Sequence, residues 1–214
     1  MLSDFDLAKE LLKINAIRLQ PDDPFTWASG LRSPIYCDNR LSLSHPVLRS
    51  EIKETLSEMS KDRWDFDVVA GVATAGIAHG ALIADYLGLP FIYVRSSAKK
   101  HGAKNQIEGD YTSGQHCLVV EDLISTGGSS IAAVEVLRDV GIEVKGVAAI
   151  FSYQFAKAKE NFDQVACPFF TISNYPALLK AARALESINE DQLRSLQDWR
   201  LDPQAWSDRI QRTE

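Results

Sequence analysis

Apolar residues recur at helical spacing near the N-terminus, where Leu7, Leu11 and Ile14, with Leu12 beside them, form one face. Ser3 followed three residues later by Asp6 has the spacing of a capping box and predicts the start of that helix. Ile17 and Leu19 alternate with polar neighbours as in a short strand. From Pro21 to Arg40 no period holds, and Pro24, Gly30 and Pro34 punctuate an irregular, aromatic stretch. Ser44 as N-cap, with Pro46 just inside, predicts a second helix whose apolar positions are Leu48, Ile52, Leu56 and Met59.

After Trp64 the pattern becomes an alternation of strands and helices. Strands are expected at Asp67–Gly71, Pro90–Arg95, His116–Asp122, Val144–Phe151 and Pro168–Ile172. The first four are apolar runs with little polar alternation, as in parallel strands buried on both faces. Helices fit between them at 75–87, 128–140 and 155–162. The tail holds Pro176–Glu186 and, after Asn189 as N-cap, a helix into Trp199. This order predicts an α/β fold with right-handed crossovers and a small N-terminal lobe. The chain is expected to be one domain over 1–214: helix and lobe to about 64, core from 65 to 173, C-terminal helices from 174.

Composition narrows the function. Against 23 Lys and Arg stand 29 Asp and Glu, a net charge of −6, which argues against nucleic acid or an anionic membrane as the main partner. The sequence has no apolar run long enough for a membrane span, and its acidic start does not resemble a signal peptide. Cys37, Cys117 and Cys167 are widely spaced and odd in number, which suits free thiols in a reducing cytoplasm.

The most informative segment runs from Cys117 to Ser130, where an apolar strand ends in Glu121 and Asp122. A turn of hydroxyls and glycines follows, then a helix. Ligands of open α/β sheets bind beyond the carboxyl ends of strands. There Gly127 and Gly128 allow close backbone approach, and the helix N-terminus offers free N–H groups to an anion. Thr126, Ser129 and Ser130 add hydroxyl donors. Two carboxylates would repel a phosphate unless they serve another part of the ligand. A vicinal diol donates to carboxylates, so acids beside a phosphate cradle suggest a ribose 5-phosphate. There is no GxGxxG after the strand and no Walker lysine.

Two further stretches are ambiguous alone. Residues 95–104 gather Arg95, Lys99, Lys100 and Lys104 with His101, either a solvated charged face or a cationic lid over a polyphosphate. Gly71-Val-Ala-Thr-Ala-Gly76 ends one strand and opens a helix, either for close packing or, through the amides near Thr74 and Ala75, to hold a second phosphate group.

The Cys117–Ser130 segment resembles the phosphoribosyl pyrophosphate (PRPP) motif of type I phosphoribosyltransferases. The resemblance implies that family's parallel-sheet core with an N-terminal hood, and transfer of ribose 5-phosphate to a nitrogenous base with Mg2+ carried on PRPP and no direct protein ligand to the metal. Phe25-Thr-Trp-Ala-Ser-Gly-Leu-Arg-Ser-Pro-Ile-Tyr-Cys-Asp-Asn-Arg40 resembles the base-covering hood of the orotate phosphoribosyltransferase family, and Arg95…Lys99…His101-Gly102 resembles its catalytic loop. The resemblance spans roughly residues 4–185. It implies orotate as acceptor in pyrimidine (UMP) synthesis, orotidine 5′-monophosphate as product, and a homodimer with shared sites. It places Glu121, Asp122, Lys99 and His101 in catalysis. PRPP would be bound by these together with Arg95, Thr74, Ala75 and the turn Leu123, Ile124, Ser125, Thr126, Gly127, Gly128 and Ser129. Ser125, Tyr36 and Ser29 would face orotate. Ala28, Ser96 and the strand end Phe151-Ser-Tyr-Gln depart from members with Lys, Lys and Arg there, which leaves the orotate carboxylate to hood amides or Arg32. Asp38 and Arg40 could pair with each other. Two alternatives are an enzyme for another base and a non-catalytic PRPP-sensing regulator.

Overall fold

The computed structural model describes residues 1–27, 29–97 and 106–212. Strands β5 (Val68–Val72), β6 (Phe91–Val94), β7 (Ile107–Glu108), β8 (His116–Ile124), β9 (Glu143–Ser152) and β10 (Phe169–Asn174) form one sheet in the order β10-β9-β8-β5-β6-β7. All pairings are parallel except β6 with the short β7. Alternate residues of β8 explain its unbroken apolar run. Leu118 and Val120 enter the core on one face, Cys117 and Val119 the core on the other. Helices α1 (Asp4–Lys13), α2 (Pro46–Lys61), α3 (Ala75–Leu87), α6 (Tyr175–Ala184) and α7 (Glu190–Leu201) contribute to the first core, and α4 (Gly128–Asp139) and α5 (Ala156–Gln164) to the second.

The switch point of this sheet lies between β5 and β8. From β5 the chain moves outward through α3 to β6 and β7, then returns to the other side of β5 as β8 and continues to β9 and β10. The helices leaving β5 and β8 lie on opposite faces, which opens a crevice beyond the carboxyl ends of the two strands.

The small N-terminal lobe consists of two short antiparallel pairs. β1 (Ile17–Leu19) pairs with β4 (Ile35–Cys37), and β2 (Phe25–Thr26) with β3 (Arg32–Ser33). A 3-10 helix over Asn39–Ser44 then leads into α2. One expectation is corrected here: the N-cap of α2 is His45, because Ser44 is still the last residue of the 3-10 turn. The last helix, α8 (Pro203–Gln211), and β7 were not expected. α7 and α8 support the lobe: Trp27 meets Trp199 edge-on at 5.9 Å, and the Arg32 N–H donates to Ser207 Oγ at 2.9 Å.

Candidate active site

β8 is longer than its neighbour. Its last rung with β5 is Gly71↔Val120, whereas its pairing with β9 continues to Ile124↔Ser152. The two carboxylates therefore stand where β5 has already turned away. Glu121 is 5% exposed, and its oxygens accept from the Asp122 N–H at 3.0 Å and the Ser129 hydroxyl at 3.1 Å. Burial, reinforced by the charge on Asp122, pushes Glu121 up to about 8. Burial also raises Asp122, which is more open. The raised proton affinity marks two acids held out of water at the mouth of a crevice, where a ligand that donates hydroxyls would relieve the cost of their charge.

The turn after β8 positions an anion site. Gly127 has φ +83°, and a side chain there would meet the Phe162 ring at 2.6 Å, so only glycine fits. It caps α4 without any side-chain bond, leaving the N–H groups of the first turn for another partner. Asn161 Nδ2 fixes the loop by donating to the Thr126 carbonyl at 2.9 Å. Leu123 and Ile124 complete β8, Ser125 and Thr126 form the bend, and Gly128 and Ser129 open α4. Ser129 serves Glu121 with its hydroxyl, a use that its place in the turn did not suggest.

The glycines of the β5–α3 turn pack the helix closely. A Cβ on Gly76 would lie 2.4 Å from the Val120 carbonyl oxygen, and one on Gly71 would lie 2.8 Å from the carbonyl of Gly76. This close approach brings the uncapped start of α3, at Thr74 and Ala75, up to the Glu121 backbone. The Ala73–Thr74 peptide is cis. A cavity of about 100 Å³ joins three candidate parts: Ala73 of this turn, Ser129 of α4, and Arg95. The Arg95 side chain faces Glu108 at 3.6 Å, and its backbone N–H donates to the Gln106 carbonyl at 2.8 Å, so Arg95 and Gln106 lie side by side. Lys99 and His101 lie outside the described residues. The other histidines have structural places: His45 caps α2, His79 is buried in α3, and His116 lies 3.3 Å from Glu143.

The hood residues divide into two sets. Tyr36 is 38% exposed; its ring lies beside Phe25, with the Arg18 guanidinium over both, and Ser29 is exposed in the β2–β3 turn. Asp38 and Arg40 pair through two bonds at 2.6 and 2.9 Å, and this partner holds the Asp38 carboxyl below its usual range. Arg32 donates to Thr26 Oγ1 at 2.9 Å. The residue that the sequence reading missed is Asn39. It is fully buried, and its Nδ2 donates to the Asp122 carbonyl at 2.8 Å, tying the hood to the acid pair. A lone Asn after Asp38 carries no periodic or motif signal that marks it.

Comparison with known proteins bears directly on this arrangement. Residues 43–188 match the phosphoribosyl transferase domain, a segment that contains the crevice and both turns. The orotate phosphoribosyltransferase of Staphylococcus saprophyticus is 50% identical over 195 residues, covering 91% of this chain and 96% of that protein. The chain belongs to the orotate phosphoribosyltransferase family. Among solved structures of the family, that of Aeropyrum pernix superposes with a TM-score of 0.73 at 30% identity, covering 86% of this chain and 99% of the other. The Mycobacterium tuberculosis orotate phosphoribosyltransferase in complex with PRPP superposes with a TM-score of 0.64 at 28% identity, covering 82% of this chain and 98% of the other. The expected type I phosphoribosyltransferase fold is thus present. The family's segment 43–188 excludes most of the hood and the helices α7 and α8 that support it.

Among the described residues no three His, Cys, Asp or Glu side chains gather into a metal cage. An open crevice lined by two acids and two helix starts fits a ligand that brings its own Mg2+ on its phosphates, since such a metal is held mainly by phosphate and water and needs no protein cage. Among the described residues no helix is long and apolar enough to cross a membrane.

Proposed function

We propose that this protein transfers the 5-phosphoribosyl group of PRPP to orotate, forming orotidine 5′-monophosphate and pyrophosphate on the route to UMP. The observation that carries this reading is the buried acid pair at the β8 overhang, flanked by two uncapped helix starts and roofed by the hood. Nitrogen N1 of orotate bonds to C1′ of the sugar as the C1′–oxygen bond to pyrophosphate breaks; the electron pair leaves with pyrophosphate, and the N1 proton is given up to water or to the departing pyrophosphate.

Asp122 accepts from the ribose hydroxyls and favours positive charge developing on the ring, and Glu121 joins it as an acceptor, its negative charge favoured once the positive charge of the ring develops beside it. The amides from Leu123 to Ser129, with the hydroxyls of Ser125 and Thr126, hold the 5-phosphate. The Thr74–Ala75 turn and Arg95 hold the pyrophosphate. Ser125, Tyr36 and Ser29 face the base. Lys99 and His101, placed by resemblance to the family's catalytic loop, stabilise the departing pyrophosphate. Mg2+, carried by PRPP, neutralises pyrophosphate charge when bound. The whole chain acts as one phosphoribosyltransferase unit and works as a homodimer whose basic loop serves the neighbouring site. Three free cysteines fit a cytoplasmic location.

The test is the change in ultraviolet absorbance of orotate with PRPP and Mg2+, with adenine and uracil as competing acceptors. Turnover of orotate alone supports the reading. Turnover of another base, or PRPP binding without turnover of any, overturns it.

A further inference from the structure

Asp122 sits beyond the end of β5, so strand pairing on that side does not complete its main chain. Side chains do so instead. The Asp122 N–H donates to Glu121 Oε1, and its carbonyl accepts from Asn39 Nδ2 at 2.8 Å. Asn39 is fully buried, and its own carbonyl oxygen accepts from the Cys37 thiol at 3.4 Å. A thiol that donates to Oδ1 fixes which way the amide faces, because the flipped amide would set N–H against S–H and carbonyl against carbonyl. Burial and the nearby charges of Asp122 and Asp38 push the Cys37 thiol up, so it stays protonated and remains a donor. A three-residue relay thus runs from the hood strand β4 to the acid at the overhang.

We infer that Asn39 is a positioning residue, oriented by the Cys37 thiol, that holds the Asp122 main chain so that its carboxylate keeps one aim at the sugar diol. The inference rests on the function proposed above. A donor that holds a reacting geometry has leverage beyond its own bond, since a displacement of about 1 Å at a reacting centre costs about a hundredfold in rate.

The experiment compares Asn39→Leu, Cys37→Ala, Cys37→Ser and the double variant Cys37→Ala/Asn39→Leu in the full chain. PRPP affinity is measured by calorimetry and both KM values by orotate consumption. Ser3→Ala, which removes a cap on α1 away from the crevice, serves as a purely structural reference. Asn39→Leu should weaken PRPP by about tenfold or more and lower kcat, with the orotate KM moving less. Cys37→Ala should shift PRPP in the same direction by less, Cys37→Ser should restore it, and the double variant should be no worse than Asn39→Leu, because the two act through one bond. PRPP affinity within twofold of wild type in Asn39→Leu, or a loss of thermal stability alone as in Ser3→Ala, overturns the inference. If Asn39→Leu fails to fold, the contrast between Cys37→Ala and Cys37→Ser decides, equal PRPP affinities counting against it. A wild-type protein that binds PRPP yet makes no orotidine 5′-monophosphate refutes the proposed function, while the calorimetric series still reads the Asn39 relay.

Discussion

Glu121 stores a pH dependence that its partners make measurable. Its folded proton affinity corresponds to about 8, against an ordinary value near 4.5, so between these the folded protein holds a proton that the unfolded chain has released. Stability contributed by the neutral acid is therefore full below about 4.5 and is lost as the pH rises through 8. Glu121→Gln should remove this dependence. The variant's urea midpoint should gain steadily on that of wild type as the pH rises from 5 to 8 in the ligand-free protein; parallel pH curves would refute it. Lys99 belongs to the same scale. If it faces charge that grows as pyrophosphate leaves, Lys99→Ala should lower kcat by about 10²–10³ while PRPP affinity changes far less. Steady-state rates within tenfold of wild type would remove it from that role.

Among the elements, the glycine turn at β5 has a role that packing defines. Gly76→Ala places a methyl against the Val120 carbonyl and forces α3 away from β8. The expected cost is about 1–3 kcal/mol, read as a lower Tm, with a rise in the PRPP KM because Thr74 and Ala75 move with the helix. The central strands were legible in the sequence because burial on both faces leaves uninterrupted apolar runs, and Val68, Cys117 and Val147 all sit in such runs. α3 matched its expected span of 75–87, since Gly88 in the left-handed region ends it sharply. Of the hood strands only β1 was legible, from the alternation at Ile17 and Leu19. The others, two or three residues long, show no period, and Arg18, Tyr36 and Phe25 find one another only through the fold. α8 did carry a signal, Asp202 as N-cap before Pro203, with Trp206 and Ile210 four apart, but it stood too close to the end of α7 to read as a separate helix. The acids were legible from the PRPP motif, whereas Asn39 was not, because its partner lies 83 residues away.

At the scale of the whole molecule, the N-terminal lobe is held by residues far along the chain. Arg32 in the hood depends on Ser207, 175 residues later, for the acceptor of its N–H. Ser207→Ala should cost about 1–3 kcal/mol for the unsatisfied donor and raise the orotate KM more than the PRPP KM. Equal shifts in both would show that α8 supports the fold without bearing on the hood. The proposed dimer with shared sites gives a second expectation. Mixing inactive Lys99→Ala and Asp122→Asn chains should recover activity after verified subunit exchange, since one mixed site then holds both intact residues; no recovery would place the basic loop in its own subunit's site. The edge-on contact of Trp27 with Trp199 also sets an order in time. A ribosome delivers Trp27 long before Trp199, so this part of the N-terminal lobe reaches its final packing only after the later helices have been made.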